Sequence, residues 1–426
     1  MTQKIQKGSR ANNSIPGLEQ FVSMFQSRYG GNGSVFSIDL EESYDNFLDR
    51  VNGLNQRGAM LLKDMSPLGT NYVERFARGI AQHNLYDPND KLLLRDILSN
   101  LTHLPIVKSE YKKFGGSLKV KLTFSDGTFG ITKFMRIPRD IDTHDNTYHN
   151  DEYERHTSEI AGFHLDRVLG FHKVIPVVGR LLNMTSDLAT FLADTTVVES
   201  VYTSPAGNRC FIAHCPLQCG PDRPFCGLGA SIEAAVALGL PVNVVGKLVD
   251  HPNPFSKPYD FTQPGWLLDD SYCNNTAKRH PSILGSRTFM DLIDLYIFDF
   301  LTGNMDRHHF ETLLSLGNES FVVHVDNGRG FNRANRDDNM ALVILTQCCM
   351  IRLTTLAKFI KLYQGPESLS EVMRKSLSSD SLSPILLEPH LSALDRRLAK
   401  VIKAISDCIH SGKSWSDVVI EDGVFS

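Results

Sequence analysis

The chain has no run of about 18 uncharged apolar residues, so nothing in it reads as a membrane-spanning helix. Its opening, "MTQKIQKGSR", lacks the apolar core of a secretory signal. No sign of charge is in large excess. The 426 residues carry a formal net charge of −4, which argues against a nucleic-acid binder or a basic membrane-surface protein. Internal repeats and heptads are missing, as are the two-residue cysteine gaps of a zinc ribbon and any HExxH pair. What remains is an ordinary globular composition, 42% apolar and 22% charged, in a chain long enough for two lobes with a sizeable core.

The cysteines speak against the cytosolic reading that the opening suggests. Of eight, Cys210, Cys215, Cys219 and Cys226 cluster in one stretch, Cys348 and Cys349 are adjacent, and Cys273 and Cys408 stand apart. Four clustered thiolates can surround a zinc ion. The gaps of four, three and six residues do not suit that, and a vicinal pair does not easily chelate. An even count then favours four disulfides and an oxidising compartment. Asn-x-Ser/Thr sequons at Asn12, Asn32, Asn100, Asn183, Asn274 and Asn318 fit the same setting, with Asn183, Asn274 and Asn318 as the glycan candidates. The expectation is a secretory-pathway chain, in the Golgi lumen or secreted, whose targeting segment lies outside this sequence.

Residues 1–35, rich in Gly, Ser and Asn, read as a flexible arm, and 36–105 as a helical segment with apolar residues at helical spacing. Two β-rich runs, Ser117–Phe124 and Thr128–Met135, flank Asp126-Gly127, a hairpin signal, and Gly115-Gly116 precedes them. A polar connector leads to "ERHTSEIAGFHLDRVLGF", a helix pattern. Phe289, Leu292, Ile293, Tyr296, Ile297, Phe300 and Leu301 then mark a buried helix that Gly303 stops. The simplest division is a β-containing N-lobe with a cysteine-rich insertion over 106–235 and a mainly helical C-lobe over 236–426.

Behind that helix, "GNMDRHHFE" packs an acid, a base, two imidazoles and a second acid into six positions, Asp306 to Glu311. The short β-branched run Phe321–Val325 follows and delivers Asp326 ahead of Asn327-Gly328, twenty positions after Asp306. Helix, Asp loop, short hairpin and Asp-x-Gly is the order of a protein-kinase core, where one Asp accepts the acceptor proton and the other holds metal against phosphates. Lys133 on the second strand of the hairpin and Glu154 at the start of the next helix complete that order, with Gly115 and Gly116 as phosphate-loop candidates. Glu311 stands where ordinary kinases have a metal-binding Asn, and a carboxylate there suits Mn²⁺ or Mg²⁺. Each feature has a plain reading by itself. Asp306 can cap a helix, Asp326-Asn327-Gly328 can be a turn, and Glu154 can sit at a helix start for electrostatic reasons. Zinc on His308 and His309 is disfavoured because adjacent residues on one element point apart.

The strings "GIAQHNLY", "ERHTSEIAGFHLDRVLGF", "IFDFLTGNMDRHHFE", "HVDNGRGF", "QCCMIR" and "EPHLSALDRRL", with the cysteine cluster, resemble a family of secretory-pathway kinases. It includes the Golgi casein kinase, its pseudokinase paralogue and the glycosaminoglycan xylosylkinase. The resemblance runs from about residue 75 onward. It implies an α+β, atypical bilobal kinase fold stabilised by disulfides Cys210–Cys226, Cys215–Cys219, Cys273–Cys348 and Cys349–Cys408. It implies Asp306 as catalytic base and ATP with Mn²⁺ held by Asp326 and Glu154. Lys133 would lie on phosphate, Ser117 and Glu311 near the nucleotide, and Ala237, Leu238, Gly239 and Leu240 along the adenine. Two departures stand out: Ser117 replaces a Gln common in the family, and Thr132-Lys133-Phe134 replaces Phe-Lys-Pro. The pseudokinase carries Gln at the position of Glu154, so an active enzyme is expected. "NMDRHH" and "DNGRGF" resemble the casein kinase, which implies transfer to Ser in Ser-x-Glu sequences of secreted proteins. "LGFHKVIPVVGR" resembles the xylosylkinase, whose acceptor is the proteoglycan linker sugar. A homodimer, or a heterodimer with a pseudokinase, is the partner arrangement the family suggests.

Overall fold

The structure, a computed structural model, describes residues 15–29, 72–80 and 84–421, except 89, 145, 149–150, 241, 243–245, 261 and 284. The helical pattern expected from Ser37 onward, and the sequons at Asn12 and Asn32, lie outside these residues. Within the arm expected to be loose, Leu18–Tyr29 forms a helix, α1. The composition of the arm hid an i, i+3, i+4, i+7 stripe of Leu18, Phe21, Val22 and Phe25, all buried. Phe21 stacks on Trp415 with ring centroids 5.4 Å apart. Two further helices, α2 (Tyr72–Arg78) and α3 (Lys91–His103), lead to the sheet.

The expected hairpin is the middle of a larger sheet. β1 (Ile106–Tyr111), β2 (Val120–Phe124) and β3 (Phe129–Phe134) run antiparallel, with Val120 opposite Thr132. Gly127 takes a left-handed conformation in the β2–β3 turn, where Asp126 Oδ1 accepts from the Thr128 amide at 3.0 Å. β1 gave no sequence signal because it is an edge strand with little buried alternation. Gly115-Gly116 therefore sits in the β1–β2 connection, ahead of the strand that carries Lys133. α4 (His156–Leu169) follows, capped by Gly170. It starts two residues later than expected, because the Arg155 amide donates to Gly328 O at 2.7 Å and keeps that residue extended. After β4 (Val177–Asn183), the cysteine-rich insertion forms its own small sheet of β5 (Val198–Thr203), β6 (Arg209–Ala213) and β7 (Phe225–Cys226). The chain returns as β8 (Ser231–Leu238), and the main sheet has the order β1-β2-β3-β8-β4.

The rest is mainly helical. β9 (Leu248–Pro252) precedes α5 (Ser286–Thr302), and β10 (His309–Leu313) and β11 (Val322–Val323) complete a three-stranded ribbon. All seven expected core positions of α5 are buried, and so are Met290, Leu295 and Phe298 on its other sides. A helix buried all round is a central pillar. Its buried Asp291 is paired with Lys173 and Arg352, both at 2.7 Å. Gly303 ends it in a left-handed conformation, and that abrupt stop launches the Asp306 loop. α8 (Glu388–His410) packs against it, α6 (Leu353–Gln364) and α7 (Leu369–Leu377) pack on α8, and α1 lies along α8. The four disulfides have the pairing the resemblance implies.

Candidate active site

The centre of the site is one cation among three carboxylates. Lys133 Nζ lies 3.0 Å from Glu154 Oε2, 2.6 Å from Glu159 Oε1 and 2.6 Å from Asp326 Oδ1. Burial by itself would push the ammonium down. Asp326, Glu154 and Glu159 reverse that and hold it well above the ordinary lysine value. Lys133 in turn holds the Asp326 carboxyl far below the usual range, against burial. Each partner comes from a different element: β3, the segment before α4, the first turn of α4, and the turn three residues beyond β11. Asp326 itself is left-handed at φ 57°, a conformation a non-glycine residue keeps only where its surroundings impose it. Gly328 shows how tightly they do so. A Cβ there would lie 3.1 Å from both Glu154 Cβ and Glu159 Oε1.

Asp306 stands across the cleft on a loop with little freedom. Its amide accepts no slack, donating to Asn304 Oδ1 at 3.1 Å, and Asn304 Nδ2 donates to Asp299 Oδ1. Arg307 grips Asp299 through Nε and Nη2, both at 2.8 Å, and reaches Asn327 Oδ1 at 3.1 Å and Val325 O. This buried fork ties the Asp306 loop to the Asp326 turn. The Asp306 carboxylate accepts from the Tyr259 hydroxyl at 2.9 Å on Oδ1 and faces Arg329 Nε at 3.1 Å on Oδ2. His308 Nδ1 lies 2.6 Å from the same Tyr259 hydroxyl. The two imidazoles thus take different partners. His309 Nε2 is 3.6 Å from Glu311 Oε1 and 3.9 Å from Asp250 Oδ1, and Glu311 raises its pKa.

The remaining expected positions line the N-lobe side. Ser117 accepts from Lys119 Nζ at 3.1 Å and, with Leu118, Lys133, Phe134, Arg136, Glu154, Leu217 and Gln218, borders a cleft of about 290 Å³. Ala237 and Leu238 are inside β8, while Gly239 and Leu240 follow it. The Leu238 amide donates to Pro176 O and the Gly239 amide to Phe129 O at 2.8 Å. Those two donors are committed within the N-lobe, so they are not free for a base edge. A Cβ on Gly239 would meet the Phe129 ring at 2.2 Å, which explains the glycine. Phe134, standing where relatives have Pro, keeps the ladder opposite Ala234 and is buried against Phe211 and Phe225.

Comparison with known proteins shows the family of the chain. The family described as "Golgi casein kinase, C-terminal, Fam20" matches residues 71–417. The chain belongs to the Fam20 family. The human extracellular serine/threonine protein kinase FAM20C is 38% identical over 79% of this chain and 57% of its own length. The zebrafish glycosaminoglycan xylosylkinase is 33% identical over 81% of this chain and 82% of its own. A crystal structure of the Golgi casein kinase with Mn/ADP bound superimposes with a TM-score of 0.80 at 32% identity, covering 89% of this chain and 91% of that one. The chain spans 57–66% of the length of the first three curated relatives it matches. Its fold is therefore the disulfide-stabilised, bilobal kinase fold of the family. No helix among the described residues is long and apolar enough to cross a membrane.

The Fam20 site also has members that sequence reasoning passed over. Glu159 touches Lys133 as closely as Asp326 does and accepts from the Asn327 amide at 3.4 Å. Its signal is in the sequence: it lies in the first turn of α4, five residues after Glu154. Tyr259 and Arg329 bracket Asp306; Tyr259 stands in a segment without a recognisable pattern, and Arg329 lies in the "DNGRGF" string, which gave it no role of its own. A divalent cation fits the donor set. Three carboxylates converge with one ammonium between them, leaving an excess of negative charge and hard oxygen ligands in one place.

Proposed function

We propose that this chain is a secretory-pathway kinase that transfers the ATP γ-phosphoryl to serine in Ser-x-Glu sequences of secreted proteins. The observation that carries the reading is the convergence of Lys133, Glu154, Glu159 and Asp326 opposite an Asp306 pinned by the Arg307 fork. Glu154 meets Lys133 at 3.0 Å where the pseudokinase has Gln, which supports an active enzyme.

In this mechanism Asp306 orients the acceptor hydroxyl and takes its proton as the oxygen attacks the γ-phosphorus in line. The bond to the β–γ bridging oxygen breaks and ADP leaves. Arg329 and the Tyr259 hydroxyl hold the Asp306 carboxylate in place, and burial with the nearby Asp306 keeps the Tyr259 phenol above its usual range, so it remains a donor. Lys133 moves from its carboxylates toward phosphate oxygens. Asp326 and Glu154, with Glu159 beside them, are the ligands for Mn²⁺ (or Mg²⁺). When bound, that ion neutralises phosphate charge. The positions from Ser117 and Ala237–Leu240 to Glu311 frame the nucleotide. The same reading places the chain in the Golgi lumen or outside the cell, alone, as a homodimer or with a pseudokinase partner. Asn183, Asn274 and Asn318, all exposed, then carry glycans.

A second reading, transfer to xylose of the Gal-Xyl proteoglycan linker, is favoured by one feature. Three cations of this part of the molecule are engaged: Arg329 with Asp306, Lys257 with Asp338 and Arg333 with Glu152. Beside them the Tyr259 ring is 48% exposed, a surface suited to a sugar face. The higher identity to the serine kinase supports the first reading.

The test offers labelled ATP and Mn²⁺ with a Ser-x-Glu peptide and, separately, a Galβ1-4Xyl disaccharide. Peptide labelling is expected, and Asp306→Asn should abolish it with the melting temperature nearly unchanged. Labelling of the disaccharide alone would transfer the chain to the second reading. A large fall in melting temperature for Asp306→Asn would make that residue structural.

A further inference from the structure

The cysteine-rich insertion does more than decorate the N-lobe. Cys215 and Cys219 close a ring of five residues by disulfide, with Gln218 held left-handed at φ 62°. Three contacts tie this ring to three different parts of the nucleotide cleft. The Leu217 amide donates to Gly116 O at 2.8 Å, on the glycine loop. Gln218 Nε2 donates to Glu152 O, two residues before Glu154. Arg136, three residues beyond Lys133, donates through Nη2 to Gln218 O at 2.8 Å and Arg223 O at 3.1 Å. Its guanidinium lies 3.7 Å from the Phe225 ring centroid, which fixes the fork.

The side chains agree with the backbone. A Cβ on Gly116 would lie 2.5 Å from Leu217 Cδ1, so the loop and the ring touch with no room between them. Leu217 is nevertheless 56% exposed, and with Gln218 it also lines the cleft. A buried leucine would be ordinary packing. Here an exposed leucine in a disulfide ring lies directly against the glycine loop.

We propose that the Cys215–Cys219 ring is a clamp that positions the glycine loop and the Lys133–Glu154 pair for the nucleotide phosphates, with Leu217 and Arg136 as its positioning residues. The proposal rests on the kinase reading above. A free loop of this glycine-rich kind samples many conformations, and ordering it on binding weakens affinity; a preset loop avoids that loss. The clamp therefore acts on nucleotide affinity and leaves the chemistry at Asp306 alone.

The experiment compares the unaltered chain with Cys215→Ser/Cys219→Ser and with Arg136→Gln. ADP binding in the presence of Mn²⁺ is measured by calorimetry, and KM for ATP, KM for peptide and kcat by peptide phosphorylation. A ring of five residues restricts the unfolded chain less than the longer pairs do, so with the other three disulfides intact the double serine variant is expected to stay folded. The expected result is a rise of about tenfold in Kd for ADP and in KM for ATP, with kcat at saturating ATP and KM for peptide within about twofold. Arg136→Gln should move Kd in the same direction. Unchanged Kd and KM in a folded serine variant would overturn the clamp, as would a fall in kcat with KM unchanged. Failure of the unaltered chain to bind ADP with Mn²⁺ would overturn the clamp together with the kinase reading, whereas binding without peptide labelling would leave the clamp standing and remove only the acceptor assignment.

Discussion

At the scale of single residues, the site depends on groups that are too close together to be moved independently. Gly328 is the clearest case. Its missing side chain is what lets Glu154 and Glu159 reach Lys133 together, since a Cβ would come within 3.1 Å of both. Gly328→Ala should therefore lower kcat/KM by about tenfold or more through displaced carboxylates, while costing roughly 1–3 kcal/mol of stability. Activity and urea denaturation on the same preparation check this, and a variant with full activity would show that the three carboxylates tolerate rearrangement. Lys133, Asp306 and Asp326 were legible from the sequence because their order and spacing reproduce a kinase core. Glu159 was not separated from Glu154, because residues near a helix start can be assigned to it only once the start is known. Tyr259 had no pattern and Arg329 stood in "DNGRGF" without an assigned role; the role of both comes from where the fold puts them.

At the scale of elements, the N-lobe sheet is joined to the C-lobe at a charge cluster on β8. Glu233 accepts from His156 Nε2 at 3.0 Å and from Arg139 Nη2 at 2.5 Å, and Arg139 also donates to Leu382 O and Pro384 O. Burial holds the His156 pKa down, so the imidazole works as a neutral donor. The His156 hydrogen bond, with Arg139 next, brings the Glu233 carboxyl down to about 2 from its ordinary 4.5. A lowered carboxyl pKa means the unfolded chain binds the proton first. The contribution of Glu233 is therefore fully present above about pH 4.5 and is lost as the pH falls towards 2. Glu233→Gln should be less stable than the unaltered chain at pH 7, and the gap should close on acidification through that window. Denaturant titrations at several pH values check it, and a gap independent of pH would remove the linkage. The element types were mostly legible: the hairpin, α4 and α5 have strong periodicity. β1 and α1 were missed for opposite reasons, one being an edge strand with no alternation and the other a short apolar stripe inside a polar-looking arm.

At the scale of the molecule, distant parts of the helical lobe are cross-linked around the pillar helix α5. The Cys349–Cys408 disulfide joins α8 to the segment before α6 across a separation of 59 residues, and Cys273–Cys348 adds one of 75. Closing a loop of that length restricts the unfolded chain by about 4 kcal/mol. Cys349→Ser/Cys408→Ser should lower stability by about that amount while the Lys133 cluster, which lies elsewhere, keeps its arrangement. Unfolding free energies and residual phosphate transfer at low temperature test both parts. Loss of less than about 1 kcal/mol would mean that residual structure already holds the unfolded segments together.

The amino-acid order alone determined the even cysteine count, the hairpin, the pillar helix, and the order of Lys133, Glu154, Asp306 and Asp326, because these rest on local propensity and spacing along one dimension. It also carried the family, through strings long enough to be specific. Which cysteine meets which, that Glu159 joins Glu154, that Tyr259 and Arg329 bracket Asp306, and that a five-residue ring presses on Gly116 were decided only in three dimensions. Apart from the close pairs Cys215–Cys219 and Glu154–Glu159, these contacts join residues well separated along the chain, and they arise from packing around α5 and the β3–β8 pair, which no local pattern encodes.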